Sequence, residues 1–444
     1  MARILLINPW IYDFTAYDFW LKPLGLLYVA SLLRKYTDFE LNYIDCLDRH
    51  HPLLPKRTKV KPDARGPFPK EEVPKPSPLK EIPRKFSRYG IPVPLFLHEL
   101  ERVKCPDLVL LTCTMTYWYP GVQLAVELLR QKFGRVPVAL GGIYATLLPG
   151  HARSATGVDF VLQGGAEREL FPFLRQVFGN STLPEIKLET LDEFPKPAFE
   201  LLRDKSFLPL LASRGCPYCC TFCASSFLNP CFEQRNPESV FREIESSCLE
   251  FGTKKFAFYD DALLCRKKEL IIPLLKRIIE ERLELEFYTP NGLHLKEIDS
   301  EVASLLKRAG FESLFLSQES FQEEVLKKAS SKVCPDDLER VLLILEKAGF
   351  ERDRISVYLI VGLPGQDKDV VKEDILHVLQ LGARPHLAYF SPLPHTGEWC
   401  ALVKKGILDL DSDPLLHNKL AFLYLKSEIS PPEVDSLKSL LYRE

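Results

Sequence analysis

Cys216, Cys220 and Cys223 lie within eight residues of one another in the stretch ASRGCPYCCTFCASS, spaced C-x3-C-x2-C. Thiolates are soft ligands for iron-sulfur clusters or zinc, and here their number carries the information. A four-cysteine cluster completes every iron with protein, and a structural zinc site closes its tetrahedron with a fourth Cys or His. Three thiolates on one tight loop leave a metal position open to a ligand that is not protein. A zinc knuckle is the competing reading, and its nearby fourth donor would be Cys219. That residue adjoins Cys220, so one backbone would have to turn two consecutive side chains to one ion, and Cys219 reads as a passenger. The cysteines at 46, 105, 113, 248, 265, 334 and 400 are scattered and read as buried or incidental thiols.

The elements that must hold this loop follow from hydrophobic periodicity. LPLLAS (208 to 213), immediately before the cysteines, is the first of six strands; the others are 254 to 261, 286 to 292, 313 to 320, 355 to 365 and 386 to 394. Helical patterns such as LKRAGF and LILEKAGF separate them, so residues 207 to 399 predict a partial TIM-type (β/α)6 barrel with its active site at the carboxyl ends of the strands. Residues 400 to 444 predict a helical tail.

Residues 1 to 178 predict a separate α/β layer. RILLIN (3 to 8), Leu41 to Asp45, Asp107 to Thr112, Pro137 to Leu140 and Phe160 to Leu162 are apolar runs suited to a parallel, doubly wound sheet of Rossmann or flavodoxin-like type. Ligands of such sheets bind at the carboxyl strand ends. There stand Asn8, Asp45, Thr114, Met115, Thr116, Tyr117, Gly141, Gly142, Ile143, Gly164, Gly165 and Glu167. Residues 52 to 94 interrupt this layer with 11 Pro, 11 Lys or Arg and 4 Asp or Glu, a composition expected of a solvated loop or extended linker; a flap or a basic contact for an anionic substrate is the alternative. Residues 179 to 206 read as a connector between domains.

At the cysteine loop, with the aromatic Phe222 before the last Cys and a strand ahead of the first, the sequence resembles the radical S-adenosylmethionine superfamily over roughly residues 207 to 400. The resemblance implies that Cys216, Cys220 and Cys223 hold a 4Fe-4S cluster. Its open iron would bind S-adenosylmethionine through amino and carboxylate groups, and an electron from the cluster would cleave it to methionine and a 5'-deoxyadenosyl radical. Further strand ends match in order. Tyr259, Asp260 and Asp261 stand where the family receives the methionine amino group; Glu319 and Ser320 resemble its "ES" segment; Gly362 and Pro364 belong to a "GLPG" turn expected near adenine. Ser391 to Thr396 resembles "SPxPGT", with His395 in place of the Gly. His294, after the third strand, reads equally as a substrate contact or a structural hydrogen bonder.

The first domain resembles the cobalamin-binding domain that precedes many enzymes of this superfamily, through LTCTMTYWYPGV, ALGGIYATLLPGHA and VLQGGAERELF. Asp48-Arg49-His50 matches half of a cobalt-ligating motif, but Leu53 stands where Gly belongs and the segment follows the second strand, so His50 is rejected as a cobalt ligand. The resemblance implies cobalamin held without a His ligand; some members keep the fold without the cofactor. With both cofactors, the implied reaction is methylation of an unactivated carbon. Radical rearrangement or cyclisation is the alternative, and a non-catalytic iron-sulfur or zinc protein the reading from another class.

Bulk properties set the outer limits. A net charge of -2 removes the general electrostatic case for nucleic-acid binding, and no apolar run is long enough to span a membrane. The N-terminus reads as a first strand, which points to the cytoplasm. The implied partners are a substrate at the barrel mouth and a reductant such as flavodoxin or ferredoxin.

Overall fold

The computed structural model describes residues 1 to 55, 58 to 179, 183 to 330 and 332 to 441, and the chain divides into two compact units, Met1–Lys205 and Ser206–Glu444. In the first unit, β1 (Arg3–Asn8), β2 (Glu40–Asp45), β3 (Leu108–Thr112), β4 (Val138–Gly141) and β5 (Phe160–Val161) form one parallel sheet. Their order is β5-β4-β3-β1-β2, with Ile4 in register with both Leu41 and Leu108. This is the 2-1-3-4-5 order of flavodoxin-like folds, whose chain reverses direction between β1 and β3 and so opens a crevice at their carboxyl ends. Helices cover both faces, which is why the strands are continuous apolar runs: Ile4, Leu5, Leu6 and Ile7 are fully buried. Helix α1 (Leu24–Tyr36) lays Leu26, Ala30 and Leu33 on one face of the sheet, beside Phe171 and Leu174 of α2 (Ala166–Phe178).

The segment 52 to 94 departs from the solvated loop expected of it. Ser87–Tyr89 pairs antiparallel with both Ile11–Asp13 and Lys70–Glu72, and Gly66–Pro67 pairs with Tyr17–Asp18. Phe68, Leu79, Ile82, Phe86, Tyr89 and Ile91 are buried. Its prolines and lysines dominate the composition, but its few apolar side chains fall where a ribbon can bury them; Phe86 packs edge-on against Phe14 at 5.2 Å. The 179 to 206 stretch likewise packs on the first unit: Leu191, Ala198, Phe199 and Leu202 are buried, and the Ala198 N–H donates to the Leu27 carbonyl.

The second unit contains six parallel strands: β6 (Leu208–Leu210), β7 (Lys255–Phe258), β8 (Glu286–Tyr288), β9 (Leu314–Glu319), β10 (Ile355–Val361) and β11 (Arg384–Tyr389). They form two three-stranded ladders, β6-β7-β8 and β9-β10-β11, linked by a single parallel bridge between Leu293 and Leu316. The expected partial barrel is therefore present, its ladder interrupted at the middle. Its aromatic core stacks Phe256, Phe258, Phe287 and Phe311. β6 and β11 are the two outer strands, and short helices from Pro414 to Leu440 make the tail.

Candidate active site

The cysteine loop leaves β6 through a bracket. Ser213–Arg214 pairs antiparallel with Glu233–Gln234, so residues 215 to 232 loop out from a fixed base. Gly215 opens the loop at φ +82°, and a Cβ there would lie 2.6 Å from the Cys231 carbonyl oxygen. Only glycine combines that dihedral with that approach. Cys216 and Cys220 are half-buried, Cys219 and Cys223 exposed. The Cys223 N–H donates to the Cys220 carbonyl at 3.1 Å, a tight turn between two of the three expected ligands. Burial pushes the Cys216 thiol up to about 11, with Asp261, Cys220 and Cys223 adding to the effect. A metal bound here must therefore displace thiol protons.

The donor set fits an iron-sulfur cluster. Among the described residues no three His, Cys, Asp or Glu side chains gather around a point that could hold one ion. Cys216, Cys220 and Cys223 nonetheless share one short loop, and their thiols lie near enough for neighbouring charge to raise the pKa values of Cys216 and Cys223 further. Beside them lies the ammonium of Lys332, buried and 2.7 Å from the Glu319 carboxylate. Burial opposes its charge, but Glu319 and the thiols of Cys220 and Cys216 hold its pKa above the ordinary lysine value. The sequence reading missed Lys332; a Lys thirteen residues after Glu319 is visible as a residue but its burial is not.

Of the residues expected at S-adenosylmethionine, several turn out to build the cradle. Phe222 packs against the apolar cluster that includes Ile360, Leu363, Phe390 and Trp399. Asp260 is buried, and its carboxylate accepts from the N–H groups of Ala212 and Ser213 and from the Ser213 hydroxyl, so it secures the chain entering the cysteine loop. Burial pushes its pKa up to about 7 against those donors. Asp261 accepts from the Ser225 hydroxyl at 2.6 Å, two residues beyond Cys223. Tyr259 donates its N–H to Leu210, while the Asn291 amide donates to its carbonyl at 2.9 Å. Ser320 donates to the buried Asp374 at 2.6 Å, and Glu319 holds φ +67° at the bulge that ends β9. In the Gly362 to Gly365 turn, the Gln366 side chain accepts from the N–H groups of Gly362 and Leu363 and donates to Ile360. The Pro364 carbonyl accepts from Lys328 at 3.2 Å. His395 adopts φ +67°, the conformation glycine would take, with its ring stacked on Phe227 at 4.0 Å.

His294 is buried, its ring edge-on to Tyr218 of the cysteine loop at 4.8 Å, and its Nδ1 meets no partner among the described residues. Burial, with Lys332 nearby, lowers its pKa to about 3, so the ring is neutral.

In the first unit, a cavity opens at the β1 and β3 ends, lined by Asn8, Pro9, Trp10, Thr112, Cys113, Thr114 and Trp118 among others. The Asn8 amide donates to Asp45 at 2.8 Å, and burial raises that carboxyl to about 6. Met115 and Ile143 are exposed at neighbouring strand ends, and the space beside Gly141 and Gly164 is open. Gly142 at φ +94° would drive a Cβ to 2.8 Å from the Cys113 carbonyl oxygen, so the β4 turn requires glycine. Gly164 donates its N–H to Thr146, and Gly165 precedes α2. Thr116 and Tyr117 are buried. The side chain of Glu167 lies outside the described residues. His50 Nε2 stands 3.4 Å from the Asp204 carboxylate. Bare backbone beside open space lets a bulky group come close to the main chain at these strand ends, as the corrin and nucleotide of cobalamin would require.

Comparison with known proteins agrees with this architecture. Residues 210–378 match the Radical SAM superfamily model. An uncharacterized methyltransferase of Pyrococcus horikoshii is 24% identical over 331 residues, covering 68% of this chain and 71% of the relative. Cytidylyl-2-hydroxyethylphosphonate methyltransferase of Streptomyces wedmorensis is 22% identical, covering 82% of this chain and 73% of the relative. Among solved structures, the radical S-adenosylmethionine methyltransferase TsrM from Kitasatospora setae, with tryptophan and a SAM analogue bound, superposes with a TM-score of 0.71 at 16% identity, over 99% of this chain and 89% of that one. A second TsrM structure contains cobalamin and a [4Fe-4S] cluster. No helix among the described residues is long and apolar enough to cross a membrane. The family match begins at the first barrel strand, just ahead of the three cysteines: residues 210–378 form a Radical SAM domain, and the chain shares its fold with the TsrM structure that contains cobalamin and a [4Fe-4S] cluster.

Proposed function

We propose that this enzyme methylates an unactivated carbon, with S-adenosylmethionine at a 4Fe-4S cluster and cobalamin in the first unit. The observation that carries the reading is the join, in one chain, of a three-cysteine loop at a barrel strand end with a flavodoxin-like sheet that has a cavity at its β1 and β3 ends and glycine backbone beside open space at the ends of β4 and β5. The cluster and S-adenosylmethionine would supply the radical that removes a substrate hydrogen, and cobalamin the methyl group that replaces it.

The chain's own residues hold and shield. Cys216, Cys220 and Cys223 ligate the cluster; Asp260 and Gly215 shape the loop that carries them. Tyr259, Asp261, Glu319 and the Gly362 to Gly365 turn border the space for S-adenosylmethionine, and Lys332 places a positive charge beside thiolates. Neutral His294 has its Nδ1 without a partner among the described residues, so that nitrogen is available for a hydrogen bond to a bound group. Gly141, Gly142, Gly164, Met115 and Ile143 border cobalamin. The reductant is a low-potential one-electron donor of the flavodoxin or ferredoxin class, and the compartment the cytoplasm.

Anaerobic reconstitution tests the reading: the wild-type chain should take up about four irons and release 5'-deoxyadenosine from S-adenosylmethionine under reduction. Cys216→Ala should abolish that product and Cys219→Ala retain it. Protein from cells supplied with cobalamin should show the cofactor's visible spectrum; a colourless chain apart from the cluster would withdraw the methyl-transfer reading and favour rearrangement or cyclisation.

A further inference from the structure

Thr221 lies between Cys220 and Cys223, and all of its polar groups are engaged by the ends of two helices, Glu323–Lys328 and Gly397–Lys404. Its N–H donates to the Lys328 carbonyl at 2.8 Å, and its carbonyl accepts from the Glu398 N–H at 2.8 Å. Its hydroxyl donates to the Glu398 carboxylate at 3.0 Å. That carboxylate is buried and also faces the Lys328 ammonium at 3.4 Å, which in turn donates to the Pro364 carbonyl at 3.2 Å. Gly397 presses on the same residue: a Cβ there would lie 3.2 Å from Thr221 Cβ.

These contacts join four strand ends. Thr221 follows β6, Lys328 follows β9, Pro364 follows β10 and Glu398 follows β11. β6 and β11 are the outer strands of an open half-barrel and share no ladder. We propose that Glu398 and Lys328 are positioning residues for the cluster: they form a clasp that closes the open side of the barrel at the cysteine loop, fix the separation of Cys220 from Cys223, and tie that separation to the turn at Pro364. This rests on the reading of the three cysteines as cluster ligands. A partly buried carboxylate that accepts both a hydroxyl and an ammonium forms charge-assisted bonds, which are among the stronger ones available to hold a loop. Removing it leaves Thr221 Oγ1 and Lys328 Nζ without their shared acceptor.

The test uses the full reconstituted chain. Iron loss to an excess chelator is followed under anaerobic conditions, and the reduced cluster is examined by electron paramagnetic resonance with and without S-adenosylmethionine. Glu398→Ala should lose iron about tenfold faster than wild type, with an altered resonance spectrum and a weakened response to S-adenosylmethionine. Glu398→Gln, which retains an acceptor for the Thr221 hydroxyl, should stay within about threefold. Lys328→Met, which leaves the Thr221 to Lys328 main-chain bond in place, should fall between them, and it carries the test if Glu398→Ala does not fold. Wild-type rates and spectra in both Glu398→Ala and Lys328→Met would overturn the clasp. A wild-type chain that takes up no iron would overturn the cluster reading, and the clasp with it, before any variant is compared.

Discussion

The carboxylate of Asp260 accepts from two main-chain N–H groups and a hydroxyl within a few residues of Cys216. An amide at this position would turn one NH2 toward those donors. Asp260→Asn should therefore lower stability by about 1–3 kcal/mol and depress iron uptake, both read on the same preparation by thermal unfolding and iron analysis. Unchanged stability with weaker S-adenosylmethionine binding would return Asp260 to the direct ligand role that its position suggested. The three cysteines proposed as ligands stood out in the sequence because their spacing alone suggests an incomplete donor set. Asp260, Ser320 and Lys332 were less so, because the partners that define them, Ser213, Asp374 and Glu319, lie 47, 54 and 13 residues away.

At the scale of elements, the strands were readable because parallel strands covered on both faces are continuous apolar runs, and each expected strand of the sheet and barrel is found within a few residues of its expected bounds. The ribbon within 52 to 94 was not readable. Its pairing depends on Ile11–Asp13, far away in sequence, and its apolar residues are diluted by proline. Phe86, fully surrounded and packed on Phe14, gives a direct measurement. Phe86→Ala should destabilise the first unit by about 3–5 kcal/mol, whereas a solvated loop would give a change near zero. The break between β8 and β9 was equally hidden, since six βα repeats look alike whether their ladder is continuous or bridged only at Leu293 and Leu316.

At the scale of the molecule, the boundary between the units falls at Lys205, later than the polar character of residues 179 to 206 suggested. Polarity marked a connector, but Leu191, Phe199 and Leu202 are spaced to pack while the charged residues around them face outward. A fragment ending at residue 205 should show a cooperative thermal transition. One ending at 178 lacks those side chains, each contributing about 1.5–3 kcal/mol on burial, and should melt at markedly lower temperature or aggregate. Equal melting temperatures would place the segment outside the folded unit.

The turn at Gly142 bears on how such proteins diverge. Where a crevice is bounded by dihedral angles and bare main chain, most of its specification does not reside in side-chain identity. That suits a fold shared with TsrM over 99% of this chain while only 16% of aligned positions agree. Drift can rewrite exposed positions such as Met115 and Ile143 so long as they stay apolar, while one methyl group at residue 142 is barred by the carbonyl of Cys113. In such a crevice, a left-handed backbone position constrains the sequence more tightly than an exposed apolar side chain does.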